Sequence, residues 1–92
     1  MDNARKRRDR LYIIAEILEI ARDGCLKTQI MYRANLSFAQ LNEYLLFLLK
    51  MDLLVIQNEN NRNTYRMTRK GERYLEKYAD IAAILGDNER NL

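Results

Sequence analysis

The basic residues are the side chains in this sequence whose types and spacing point most clearly to a particular chemistry, the binding of anions. Residues 1–10 carry five basic and two acidic groups, a balance of 5 − 2 = +3, whereas residues 11–92 carry eleven of each. A second local excess lies between Arg62 and Arg73, where five basic residues stand with one acidic residue. Two basic regions on an otherwise neutral chain indicate a polyanionic partner. The alternative for either run alone is a solvated face.

The sequence lacks the residues that several kinds of catalysis and metal binding require. The sequence has no histidine, which excludes Ser-His and Cys-His nucleophiles and any histidine-ligated metal. The single Cys25 cannot form an internal disulfide or a multi-cysteine zinc site, and we interpret it as a small buried side chain. Gly24, Gly71 and Gly86 stand too far apart for a phosphate-binding loop. We therefore expect no enzyme, no cofactor and no metal.

Length and composition predict one water-soluble domain. The chain has 92 residues, of which 48% are hydrophobic and 32% charged. No apolar run approaches the roughly 20 residues that cross a bilayer. Acidic residues interrupt the segment after the basic start, and no signal-peptide cleavage site follows. We expect a cytoplasmic, nucleoid-associated protein without a membrane partner.

The first half of the chain has the periodicity of three helices. Apolar residues at 11, 14, 18 and 21 predict a helix over about residues 8–23, capped by Gly24. A second, short helix is expected over about residues 28–34. Ser37 and Gln40 form a capping box that begins a third helix, which should end near residues 51–52.

After Asp52 the apolar period changes from helical to two. Leu54 and Ile56, then Tyr65 and Met67, alternate with other side chains on either side of an asparagine-rich stretch. This pattern predicts a β-hairpin with its tip at about residues 58–63.

A final helix is expected over about residues 68–85, beginning at Thr68 and stopped by Gly86. One domain would then cover residues 8–85, with a basic tail at residues 1–7 and a frayed tail at residues 86–92.

The order of these elements is that of a winged helix-turn-helix, a mainly α fold with a small β-hairpin. The tight turn at Asn35 and Leu36 would project the third helix, whose first turns could then enter a DNA major groove. The hairpin would be the wing, and its Arg62 and Arg66 are suited to phosphates or to a narrow minor groove.

Two segments, TQIMYRANLSFAQLNEYLLFLLKMDLLVIQ and TYRMTRKGERYLEKY, resemble the archaeal winged-helix family of predicted transcriptional regulators, which includes small dimeric chromatin-associated proteins. The resemblance covers about residues 10–80, and its more specific elements are IMY before ANLS and the later TxKG. It implies a DNA-binding winged helix that dimerises through its C-terminal helix. The sequence departs from the family in two ways: its C-terminal apolar pattern ends at Leu85, short of the family's long coiled coil, and its basic tail is stronger.

The outward face of the third helix is nearly neutral. With Leu41, Leu45 and Leu48 inward, the outward residues are Ala39, Glu43, Leu46 and Lys50, flanked by Gln40, Asn42 and Phe47. Gln and Asn can pair with adenine, and Glu can accept from cytosine. The alternative is that Gln40 is only a cap and that Leu46 and Phe47 pack against another part of the chain or a partner subunit.

These observations predict a double-stranded DNA-binding protein, either a transcriptional regulator or an architectural chromatin protein. The alternative is a winged-helix module for protein–protein interaction, and RNA is disfavoured because no paired aromatic platform is present. The expected DNA-binding residues are Arg5, Lys6, Arg7, Arg8, Lys27, Arg33, Ser37, Phe38, Gln40, Asn42, Glu43, Arg62, Arg66, Arg69 and Lys70. A homodimer is expected through an outward row on the final helix, formed by Tyr74, Ile81 and Leu85.

Overall fold

The computed structural model describes the backbone of residues 9–91 and the side chains of residues 9–86. Its elements are α1 (Arg10–Ile20), α2 (Lys27–Ala34), α3 (Phe38–Lys50), β1 (Leu54–Glu59), β2 (Arg62–Met67) and α4 (Arg69–Asn91). Three helices, an antiparallel hairpin and a C-terminal helix confirm the predicted winged helix-turn-helix class. The predicted basic tail at residues 1–7 lies outside the described residues.

Helix α1 begins at a side-chain cap and ends earlier than its apolar pattern predicted. The Asp9 carboxylate accepts a hydrogen bond of 2.9 Å from the backbone N–H of Tyr12, which satisfies one of the unpaired donors at the helix start. The helix ends at Ile20, and a turn leads to Gly24, whose φ of 98° lies in the left-handed region that favours glycine. The turn therefore includes residues that were predicted to be helical.

The turn between α2 and α3 is as tight as predicted. Asn35 takes a left-handed conformation with φ 56° at the end of α2, which an asparagine tolerates better than most residues. Ser37 then caps α3: its hydroxyl accepts from the Gln40 N–H at 3.1 Å, and the Gln40 amide oxygen accepts from the Ser37 N–H at 2.9 Å. The predicted capping box is confirmed.

The wing has a two-residue turn rather than the broad tip that was predicted. Asn60 and Asn61 both have positive φ, 53° and 63°, which is the conformation of a type I′ hairpin turn. The strand pairing extends to Glu59 opposite Arg62. Residues 58–63 are therefore mostly strand, because this turn matches the natural twist of the two strands.

A short third segment supports the base of the wing. Cys25 and Tyr65 exchange backbone hydrogen bonds of 2.9 and 2.7 Å, so the loop before α2 pairs with β2. Cys25 is buried, as predicted, and burial raises the pKa of its thiol. A thiol with a raised pKa is poorly suited to act as a nucleophile.

The core lies between α1, α2, α3 and the base of the hairpin. Its largest fully buried side chains are Ile17, Leu18, Ile30, Leu41, Leu48 and Leu54. Within the described part of the chain no polar or charged side chain is buried. Burial of these leucines and isoleucines, worth about 1.5–3 kcal/mol each, holds α3 with its apolar face inward.

The start of α4 is bonded to the connection between α3 and β1. The Thr68 hydroxyl donates to the Asp52 carbonyl at 2.7 Å and accepts from the Gly71 N–H at 3.0 Å. Gly71 is buried there, and a Cβ on it would lie 2.5 Å from the Leu53 carbonyl oxygen and 2.7 Å from Cγ of Met67. Only glycine lets the two backbones approach this closely.

Helix α4 continues to Asn91, so the prediction that Gly86 stops it was wrong. The frayed tail at residues 86–92 stays a prediction. A glycine inside a helix costs about 1 kcal/mol relative to alanine, which a long helix tolerates. Apart from the neighbouring backbone of the helix itself, no atom of the described residues lies within 4 Å of where a Cβ on Gly86 would be, so its surroundings impose no break.

The expected outward position of Tyr74 on α4 was also wrong. Its hydroxyl donates to the Leu11 carbonyl at 2.8 Å, and its ring stacks on Tyr78 with centroids 6.3 Å apart. Burial raises the pKa of Tyr74 to about 12. Tyr74 thus joins α4 to α1 within the subunit, a contact that helix periodicity could not distinguish from an outward row.

No helix in the described part of the chain combines the length and apolar character needed to cross a bilayer.

The two glycines of α4 should respond oppositely to alanine. Gly71→Ala is expected to lower the free energy of unfolding by about 1–3 kcal/mol, because the new methyl overlaps the Leu53 carbonyl. Gly86→Ala fills open space and should raise it by about 0.5–1 kcal/mol. Urea unfolding at one fixed protein concentration measures both, and a Gly71→Ala protein as stable as the wild type would contradict the close approach.

Candidate nucleic-acid interface

Helix α3 presents its first turns on the molecular surface. Leu41, Leu45 and Leu48 are buried. Ala39, Gln40 and Glu43 are exposed, as predicted, and Asn42 is half-buried at the edge of the same surface. The three leucines hold this helix so that its opposite side faces solvent, where a nucleic acid could approach it.

The capping box limits what Gln40 can do. Its amide oxygen accepts from the Ser37 N–H at 2.9 Å, so the side chain is folded back over the helix start. Bidentate pairing with adenine needs both the oxygen and the nitrogen of the amide extended toward the base. Gln40 would have to leave the cap to read adenine, whereas Asn42 has no such bond among the contacts of the described residues.

A cation and an aromatic ring meet at the start of α3. Phe38, the first residue of the helix, is exposed, and the Lys27 ammonium lies 4.7 Å from the centroid of its ring. This distance is within the range of a cation–π interaction. Both residues are predicted DNA contacts, and the structure brings them together.

The wing carries one exposed and one restrained arginine. Arg62 is exposed at the tip, opposite Glu59. The Arg66 Nε donates to the Gln57 amide oxygen at 3.0 Å. The Arg66 guanidinium also lies against Gly24, where a Cβ would be 2.9 Å from its Nη2. Arg66 therefore supports the base of the wing, while Arg62 is exposed at its tip.

Lys70 closes the end of α3. Its ammonium donates to the Met51 carbonyl at 2.9 Å, at the C-terminal cap of that helix. The last carbonyls of a helix lack intrahelical partners and carry a partial negative charge, which a lysine stabilises. This role was not predicted, because the two residues are 19 positions apart in the sequence. The neighbouring Arg69 is exposed.

The structure does not bring Arg33 to the start of α3. On α2, Arg33 is turned about 120° from Lys27, and it lines a groove between α1 and α4 with Arg22, Glu19 and Glu72. The prediction that Arg33 contacts DNA stays a prediction, and the structure places this side chain apart from the exposed start of α3. Arg5–Arg8, which were also predicted to contact DNA, lie outside the described residues.

The two apolar residues on the outer side of α3 differ in exposure. Leu46 is 71% exposed, whereas Phe47 is 37% exposed and therefore mostly covered within the subunit. The alternative that another part of the same chain covers both is wrong for Leu46 and holds in part for Phe47. Leu46 remains available to a nucleic acid or a partner.

The second half of α4 exposes an apolar stripe. Ile81 is 54% exposed, Ile84 74% and Leu85 46%. Ile81 and Leu85 lie outward as predicted, whereas Ile84 was missed, although its spacing of three from Ile81 is a helical one. The side chains of this stripe have no core beneath them to pack on.

A profile of the winged helix-turn-helix family matches residues 7–85. The chain belongs to this family. Two uncharacterized proteins of Methanocaldococcus jannaschii are similar to it. One is 34% identical over 80 residues, covering 86% of this chain and 36% of the relative. The other is 29% identical over 84 residues, covering 90% and 82%. This winged-helix chain thus spans about a third of the length of the first relative.

Two solved structures share the winged-helix fold. Sso10a-2, a DNA-binding protein from Sulfolobus solfataricus, superposes with a TM-score of 0.74 at 28% identity, covering 91% of this chain and 92% of that one. Bordetella bronchiseptica BpsR, whose DNA binding is regulated by 6-hydroxynicotinic acid, superposes with a TM-score of 0.73 at 13% identity. The match covers 97% of this chain and 64% of that one. The second likeness concerns the fold alone.

Substitution of Lys70 tests the hydrogen bond that caps the C-terminal end of α3. Lys70→Met removes the ammonium that bonds to Met51 and should lower the free energy of unfolding by about 0.5–1.5 kcal/mol. Arg69→Met removes the same charge from the adjacent exposed position and should change it by less than about 0.5 kcal/mol. Equal losses in thermal or urea unfolding would show that charge, and not the bond to α3, is responsible.

Proposed function

We propose that this winged-helix protein binds double-stranded DNA through the start of α3 and the wing, as a transcriptional regulator or an architectural chromatin protein. The observation that carries the proposal is the exposed first turn of α3, with Phe38 held under Lys27. The likeness to Sso10a-2, a DNA-binding protein, supports it. On this proposal the protein acts at the nucleoid and needs no cofactor.

Phosphate contacts would come from cations on three different elements, of which Lys27 also lies over the Phe38 ring. Lys27 lies at the start of α2, Arg62 at the wing tip and Arg69 at the start of α4. The tail residues Arg5–Arg8 would add to them. Such contacts position a protein on a duplex without carrying sequence information.

Base contacts would come from Asn42 and Glu43. Asn42 can pair with adenine, and Glu43 can accept from the cytosine amino group. Glu43 also repels phosphate, so the helix has to approach the base edges in the middle of the groove, away from the phosphates on either side. This near-neutral surface fits a mode of binding in which contacts to the DNA phosphates supply most of the affinity and few bases are recognised.

The salt dependence of DNA affinity tests the proposal with a matched arginine pair. The slope of log affinity against log salt changes by about 0.9 for each phosphate that the protein no longer neutralises. Arg62→Gln should reduce the magnitude of this negative slope by about 0.9, whereas Arg33→Gln, in the groove between α1 and α4, should leave it unchanged.

Fluorescence anisotropy with a labelled random-sequence duplex, from about 50 to 200 mM salt, measures the slope for each variant. Absence of salt-dependent binding by the wild type would refute DNA as the partner. Equal slope changes for Arg62→Gln and Arg33→Gln would instead refute the placement of the interface.

A protein-interaction module is the second candidate, and the exposure of Leu46 favours it. An apolar side chain on the outward face of α3 suits a protein surface better than a groove edge. Leu46→Gln separates the two: DNA affinity should hold within about twofold if α3 enters the groove only by its first turns. The protein-interaction hypothesis gains support if the wild type binds no duplex.

We also propose that two copies pair through the exposed stripe of α4. Ile81, Ile84 and Leu85 form one strip along the helix, and three large apolar side chains exposed together are an aggregation liability unless covered. A second copy carries the same stripe, so a two-fold arrangement covers both. Pairing would also let the few phosphate contacts of each subunit act together.

Charge placed on the stripe should separate the copies. Ile81→Glu combined with Leu85→Glu is expected to weaken dimerisation at least tenfold and to lower DNA affinity, as measured by light scattering and anisotropy. Ala83→Glu adds charge in the same turn on the exposed opposite side, about 200° from Ile81, and should stay dimeric. A monomeric wild type, or a double variant that remains dimeric, would refute this proposal.

A further inference from the structure

The first residue of α3 is a phenylalanine that the fold does not bury. Phe38 is 62% exposed, whereas Leu41 and Leu48 in the same helix are fully buried. An exposed ring contributes little to folding, because the gain from an apolar side chain comes from removing it from water. It also lies at the part of a winged helix that reaches base edges.

The ring of Phe38 is held in place. The Lys27 ammonium lies 4.7 Å from its centroid, and a cation over a ring face is attracted to it. The capping bonds between Ser37 and Gln40 fix the backbone on either side. A ligand that met this ring would find it already oriented, and binding would cost little conformational entropy.

The side chains around Phe38 favour an apolar ligand group. Ala39 is exposed beside it, and the Gln40 amide is folded into the cap. The first turn of α3 therefore offers two apolar side chains in place of hydrogen-bonding ones. Among the base edges of the DNA major groove only thymine presents an apolar group, its 5-methyl.

We propose that Phe38 contacts the thymine 5-methyl group and gives the protein a preference for thymine at that position. Lys27, pinned against the ring, binds a phosphate beside the contacted base. The proposal rests on the proposed DNA binding and assigns the group that α3 recognises.

Removing the methyl from DNA tests the contact directly. The probes are a labelled A·T-rich duplex and the same duplex with every thymine replaced by deoxyuridine, which lacks only the 5-methyl. The wild type should bind the deoxyuridine duplex roughly fourfold more weakly for each buried methyl that is removed. Phe38→Ala should bind the two duplexes equally.

Tyr32→Ala is the matched control, because Tyr32 is an aromatic residue 78% exposed on the neighbouring α2. It should keep the wild-type ratio between the two duplexes. A G·C-rich duplex carrying 5-methylcytosine should bind the wild type more tightly than its unmethylated form, and Phe38→Ala should abolish that difference as well.

The outcomes separate this inference from the proposal beneath it. If the wild type binds both A·T-rich duplexes with equal affinity and normal salt dependence, DNA binding stands and methyl recognition is overturned. The inference is also overturned if Phe38→Ala keeps the thymine preference, since the preference would then come from DNA shape. If no duplex binds, the proposed function itself fails.

Discussion

Three consecutive carbonyls that follow α3 accept hydrogen bonds from Thr68, just before α4, and from Lys70 in its first turn, and the arrangement of the winged helix depends on this junction. The Met51 carbonyl accepts from Lys70, the Asp52 carbonyl from the Thr68 hydroxyl, and the Leu53 carbonyl from the Thr68 N–H at 3.1 Å. These groups would otherwise lack partners, because they follow the last helical turn. The close packing of Gly71 against Leu53 makes the bonds possible, so the TxKG motif is a structural feature before it is a functional one.

The junction also shows that basic residues have structural roles that a count of cations does not reveal. Lys70 is engaged with α3, Arg66 with Gln57, and Arg33 lies in the groove between α1 and α4. Each was itself predicted to contact DNA, and each also has a role or a place within the fold. Lys27 and Arg62 differ because their surroundings leave them at the edge of the exposed surface of α3 and at the wing tip.

Local signals predicted the elements, whereas their mutual contacts could not be predicted. The capping box of Ser37, the change of period after Asp52 and the turn at Asn35 act over a few residues, and all three were found. The direction of Tyr74 depends on Leu11, 63 positions away, and helix periodicity carries no information about such a partner. Gly86 was misjudged for a different reason: glycine lowers helix propensity, but only a left-handed conformation ends a helix there.

Because α4 both caps α3 and carries the exposed stripe, its two ends are mechanically coupled. One end fixes the direction of α3 through Met51 and Gly71, and the other exposes Ile81 and Ile84, the stripe through which we propose that two copies pair. A helix is stiff over its length, which for 23 residues is about 35 Å. Pairing through α4 would therefore set the separation of two α3 helices with little freedom at either end. In a symmetric dimer that separation must match one turn of the duplex, about 34–36 Å, or a multiple of it. If α3 binds DNA as proposed, the same rigidity would let its nearly neutral surface contribute, because each weak contact would be held in a fixed position and would cost little conformational entropy.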